Sequence, residues 1–121
     1  MTHVLLVEDD PFLVDIYTTK FQAEGFSISV ATDGNQAISR LSQDKPEILL
    51  LDIVLPKVDG WEILKSIKQN KDLQDLKVIV LSNLGQKADI DKAIALGAAR
   101  YLIKAHYTPS EVVEEVKKII G

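Results

Sequence analysis

Residues 48–60 read Ile48-Leu49-Leu50-Leu51-Asp52-Ile53-Val54-Leu55-Pro56-Lys57-Val58-Asp59-Gly60. Four consecutive aliphatic residues leave no polar face, so a strand there must be covered on both sides, as in a parallel sheet between helical layers. The run stops on an acid, and turn-forming Pro56 and Gly60 follow before the chain resumes a helical period with Leu64 and Ile67. A buried strand that ends on a carboxylate is the unit from which the rest of the chain can be read.

The same unit recurs on either side. Short apolar runs at 4–7, 27–31, 78–81 and 100–103 predict four further strands. Between them, Leu13, Ile16, Tyr17 and Phe21 share one helical face, Ala37, Ile38 and Leu41 a weaker one, and Ile90, Ala93 and Ile94 another. Val112, Val113, Val116, Ile119 and Ile120 give the last helix. Asp10-Pro11 and Thr108-Pro109-Ser110-Glu111 are helix starts, the second with the spacing of a capping box, and Gly25 and Gly97 read as helix ends. No linker, repeat or low-complexity run interrupts the alternation, which predicts one (βα)5 domain over residues 1–121 and no second domain, an α/β doubly wound fold with right-handed crossovers.

Composition narrows the function. With 121 residues and 46% apolar content, one substantial core is affordable. The absence of cysteine excludes disulfides and thiolate metal sites. A net charge of -4 argues against a nucleic-acid surface, and no apolar run approaches a membrane span. The lack of cysteine agrees with a cytoplasmic home, and without a basic leader before the first strand a soluble protein is expected.

In open parallel sheets, ligands bind beyond the carboxyl ends of the strands. Those ends carry Glu8-Asp9-Asp10, Asp52, Ser82-Asn83 and Lys104. Taken singly, each has a plain structural explanation: Asp10 caps a helix, Ser82 supplies a turn hydroxyl, and Lys104 is a solvated charge. Together they predict a site. Carboxylates ~4 Å apart repel by about 4 kcal/mol at an effective dielectric near 20. Proton uptake, Lys104 or a hard divalent cation could relieve that, and an all-oxygen donor set favours Mg²⁺. A carboxylate, a metal, an ammonium and a hydroxyl are the parts that phosphoryl transfer to Asp52 requires.

Val7-Glu8-Asp9, Asp52 with Pro56 and Gly60, Ser82, Tyr101 and Lys104 together resemble the response-regulator receiver domain over the whole chain. The resemblance implies a flavodoxin-like five-stranded sheet of order 2-1-3-4-5 with five helices on both faces. It implies Asp52 as phosphoacceptor, with Glu8, Asp9, Asp52 and the Val54 backbone carbonyl around Mg²⁺ or a substituting Mn²⁺. Asp9 would be a direct ligand and Glu8 would act largely through water. Ser82, Asn83 and Lys104 would meet the phosphoryl oxygens, and Ser82 and Tyr101 would form the switch. The donor would be a phosphohistidine on a sensor histidine kinase or phosphotransfer protein. Output would leave through the fourth helix, fifth strand and fifth helix, a face that also supports homodimers. The chain would be a signalling domain that turns over no external substrate.

Three positions depart from the usual pattern. Ala105 replaces the proline that commonly follows the lysine, and since a non-proline cis bond costs about 3–4 kcal/mol, Lys104-Ala105 is expected to be trans. Asn83 follows the hydroxyl where a small residue is common, and would contact the phosphoryl group or partly block access to it, with plain surface exposure as the alternative. Val54 places an apolar side chain beside the phosphate, where it would slow attack by water on the acyl phosphate. His3 and His106 are expected to be incidental, and Trp61 to pack at the start of its helix. A haloacid-dehalogenase-like phosphatase would need a second aspartate at position 54, and a flavodoxin-like cofactor protein would not place adjacent acids in its phosphate loop. A receiver fold working without phosphorylation is the remaining rival.

Overall fold

The computed structural model describes residues 2–120; Met1 and Gly121, the two ends of the predicted 1–121 domain, lie outside the described residues. Five strands form one parallel sheet: β1 (His3–Val7), β2 (Ser27–Ala31), β3 (Ile48–Leu51), β4 (Lys77–Ser82) and β5 (Arg100–Ile103). Their order is β2-β1-β3-β4-β5, with β3 in the middle, as the family resemblance implied. Five helices connect and follow them: α1 (Pro11–Ala23), α2 (Gly34–Gln43), α3 (Gly60–Gln69), α4 (Lys87–Ala95) and α5 (Pro109–Ile120).

Alternating strand residues feed two separate cores. Val4, Leu6, Ile48, Leu50, Ile79 and Leu81 pack with Tyr17 and Phe21 of α1 and Val112, Val113 and Val116 of α5. Leu5, Val7, Leu49, Leu51, Val78 and Val80 pack on the other side with residues of α2, α3 and α4. All four residues of β3 are fully buried, which is why residues 48–51 admit no polar side chain.

Local chemistry sets the element ends. Asp10 accepts the Phe12 N–H at 2.9 Å, Asp33 the Gln36 N–H at 2.9 Å and Asp59 the Glu62 N–H at 3.0 Å. The capping box read at Thr108 forms in both directions, Thr108 N–H to Glu111 and Glu111 N–H to Thr108 Oγ1. Gly25 and Gly97 adopt φ of +88° and +103°, the left-handed conformation that ends α1 and α4.

Several details differ from the sequence reading. β4 runs to Ser82, so the hydroxyl belongs to the strand end. Ile38 and Ile94, placed on apolar helix faces by spacing, are 39% and 48% exposed, because α2 turns Ala37 and Leu41 to the sheet and α4 only Ala93, which leaves both isoleucines at the edges of those faces. Short 3-10 turns at Lys71–Leu73 and Lys104–His106 carry no periodic signal and were not foreseen. The Lys104-Ala105 bond is trans, as expected. Trp61 is half-buried on α3, and Lys92 of α4 sits 4.3 Å from its ring centroid.

Candidate phosphoacceptor site

Sheet register brings the polar residues together. Val7 is paired with Leu51, so Glu8 and Asp52 are the next residues on adjacent strands. Asp52 N–H still donates to Val7 O at 3.1 Å, extending the ladder one residue into the site. On the other side Ser82 is paired with Ile103, which sets Lys104 one residue beyond the hydroxyl. Glu8, Asp9, Asp52, Ser82, Asn83 and Lys104 line one open pocket of about 450 Å³.

Carboxylate oxygens of Glu8, Asp9 and Asp52 lie within 4.8 Å of one another. Glu8 and Asp52 are buried, whereas Asp9 faces solvent. Lys104 Nζ stands between the buried pair, 2.5 Å from Glu8 Oε1 and 2.8 Å from Asp52 Oδ2. The second Asp52 oxygen accepts the Val54 N–H at 3.3 Å. Glu8 also accepts the Asp10 N–H at 3.1 Å.

One of the three ways to relieve the repulsion, the Lys104 ammonium, is therefore visible. Burial pushes the Glu8 carboxyl above its usual range, against the pull of Lys104. Burial also opposes the charge on Lys104, but hydrogen bonds to Asp52 and Glu8 prevail and hold the ammonium above its ordinary value. The donor set suits the third as well: three carboxylates at this spacing, with one exposed, fit a hard divalent cation that retains water.

The loop from Asp52 to α3 depends on a close approach. Gly60 N–H donates to Ile53 O at 2.8 Å, and a Cβ at position 60 would lie 2.6 Å from the Asp52 carbonyl oxygen. The glycine of the opening stretch is thus required by the backbone beside the acid. Val54 is 62% exposed at the pocket mouth.

Ser82 Oγ accepts the Leu84 N–H at 3.3 Å, and the half-buried Tyr101 donates its hydroxyl to Leu84 O at 2.5 Å. Asn83 is exposed, and its Oδ1 accepts the Ala105 N–H at 3.2 Å. That contact was missed by sequence reading, whose only signal was the N–H that Ala105 retains and a proline would lack. His3 lies at the opposite end of β1, bonded to Ser27 and Ser29 of β2, and His106 is exposed on the turn after Lys104.

A sheet of this order with acids, hydroxyl and lysine at its carboxyl edge defines a class, and comparison with known proteins identifies it. The family model of the response regulator receiver domain matches residues 4–117, and the chain belongs to that family. It is 38% identical over 120 residues to the response regulator SaeR of Staphylococcus aureus (strain USA300), covering 99% of this chain and 51% of SaeR. The chain thus spans about half the length of the curated relatives it matches. A response regulator from Chloroflexus aurantiacus superposes with TM-score 0.89 at 26% identity, covering 98% of this chain and 96% of that one. The Mn²⁺-bound form of response regulator Rcp1 superposes with TM-score 0.83 at 29% identity, covering 91% and 86%. The chain is therefore a receiver domain of two-component signalling. None of its described helices is long and apolar enough to cross a membrane.

Proposed function

We propose that this chain, as one receiver unit over residues 1–121, takes a phosphoryl group onto Asp52 from a phosphohistidine of a histidine kinase or phosphotransfer protein. The carrying observation is Asp52 itself: a buried carboxylate at the central strand end, bonded to Lys104 and clustered with Glu8 and Asp9.

In the proposed step an Asp52 oxygen attacks phosphorus, the P–N bond breaks, and the imidazole keeps the electron pair and takes a proton. The product is an acyl phosphate. Glu8, Asp9, Asp52 and the Val54 carbonyl would hold Mg²⁺ or Mn²⁺, which supplies charge neutralisation for the phosphoryl oxygens. That Rcp1 is recorded with Mn²⁺ supports such a site. Lys104 would exchange its contact with Asp52 for a phosphoryl oxygen, and Ser82 Oγ would leave the Leu84 N–H to donate to another. Movement of Ser82 shifts the loop that Tyr101 contacts, so α4, β5 and α5 would carry the change to an output partner or a second copy. The chain turns over no external substrate in this reading, and works in the cytoplasm.

Incubation with Mg²⁺ and acetyl phosphate, or with beryllofluoride as mimic, tests the assignment. The parent should add one phosphoryl mass or shift its amide spectrum, and Asp52→Asn should do neither; a response that survives the substitution removes Asp52 from the role. Asp9→Asn should weaken Mg²⁺ binding at least tenfold, measured by titrating the amide shifts; unchanged affinity would place the ion elsewhere.

A further inference from the structure

The loop between β4 and α4 is tied to β5 and the residues after it at three consecutive positions. Asn83 Oδ1 accepts the Ala105 N–H, and Leu84 O accepts the Tyr101 hydroxyl. A Cβ on Gly85 would sit 3.2 Å from Ile103 Cδ1, so the backbone there lies close against β5. Only the Asn83 contact reaches past Lys104.

Its chemistry is specific. A backbone N–H can only donate, so the amide end that meets it is oxygen, and the orientation of Asn83 is fixed. Ala105 lies in the 3-10 turn Lys104–His106, whose first N–H groups have no acceptor within the turn. Ile103, the residue preceding that turn, offers no side-chain cap. Asn83 fills that place from 22 residues away. Because Ser82 opposes Ile103 in the ladder, the bond lies one residue beyond the hydroxyl on one side and one beyond the ammonium on the other.

We infer that Asn83 is a positioning residue that caps the turn carrying Lys104 and ties it to the strand end carrying Ser82. The two groups flanking Asp52 are then set as one unit, and the β4–α4 loop cannot shift toward an anion on Asp52 without engaging the turn that holds Lys104. This rests on the phosphoacceptor reading and departs from it at one point: Asn83 acts through Lys104 and Ser82 and not by holding a phosphoryl oxygen.

Asn83→Ala removes the acceptor, and Asn83→Asp keeps it while losing the amide donor. The solvent-exchange rate of the Ala105 amide, read by NMR in the metal-free chain, should rise about fivefold in Asn83→Ala, the loss of one ordinary hydrogen bond, and stay near the parent value in Asn83→Asp. With saturating Mg²⁺ and acetyl phosphate, Asn83→Ala should lower the maximal phosphorylation rate several-fold. The donor concentration for half-maximal rate and the Mg²⁺ affinity should stay within twofold. Unchanged Ala105 exchange in Asn83→Ala overturns the cap. A raised half-maximal donor concentration with an unchanged maximal rate overturns positioning in favour of direct phosphoryl contact. If the parent takes up no phosphate, the phosphoacceptor reading fails, and the exchange measurement still decides the cap.

Discussion

Position 57 holds a lysine in backbone territory that suits glycine. Its φ is +68°, the one positive value at a non-glycine among the described residues, in the loop that leads from Asp52 to α3. A side chain there costs roughly 1 kcal/mol, part of which glycine would return as lost chain entropy in the unfolded state. Lys57→Gly should therefore raise the unfolding free energy by about 0.5 kcal/mol, seen as a higher urea midpoint at unchanged slope; a lower midpoint would show that the lysine side chain contributes more than its backbone loses. Gly60 is the opposite case. Gly60→Ala should cost about 2 kcal/mol and displace the Asp52 carbonyl, weakening Mg²⁺ binding in the same variant. Charged site residues were legible in the sequence because acids and a lysine directly after apolar runs stand out. The Lys57 conformation and the Asn83–Ala105 bond were not, since one is a backbone angle and the other joins a side chain to a backbone group far along the chain.

Among the helices, α4 begins differently from the rest. Asp10, Asp33, Asp59 and Thr108 cap the starts of α1, α2, α3 and α5, while Gln86 makes no side-chain capping bond to α4. Gln86 already has the extended backbone of a cap residue, φ -75° and ψ 149°. Gln86→Ser should stabilise α4 by about 1 kcal/mol and slow its amide exchange roughly fivefold, with little change in α5. Equal slowing in both helices would mean that they open only together. The apolar packing of α1 on α5 carries a surface ion pair at its rim: Lys117 Nζ lies 2.7 Å from Glu24 Oε1, and that hydrogen bond holds the Glu24 carboxyl below its usual range. A depressed carboxylate stabilises the fold above its unfolded pKa and loses that contribution as pH falls through the folded value. Thermal scans from pH 6 down to pH 3 should show a slightly shallower acid loss in Glu24→Gln than in the parent; a steeper one would contradict the pairing. The strands and the main helices were readable because a two-sided sheet leaves purely apolar runs. The exposure of Ile38 and Ile94 was not readable, because period alone does not say how much of a face the sheet covers.

Across the whole molecule, the two cores are neutral and the strain of charge collects at one sheet edge. Lys104 is the cation through which Glu8 and Asp52 tolerate burial, and the same pocket would seat a divalent ion. The ammonium and such an ion would therefore be rivals for the same negative charge, and stability should record the rivalry. Lys104→Ala leaves two facing carboxylates with no partner between them. Allowing for the open pocket, this should cost about 2–3 kcal/mol in metal-free urea unfolding, less than a fully enclosed pair would. Mg²⁺ at ten times its dissociation constant adds about 1.4 kcal/mol to any folded state that binds it. The variant, having lost the competing cation, should bind more tightly than the parent, so at one fixed Mg²⁺ concentration the stability gap between the two should narrow. A gap that Mg²⁺ leaves unchanged would show that the ion and Lys104 do not share these acids, and a metal site built on Glu8, Asp9 and Asp52 would have to be abandoned.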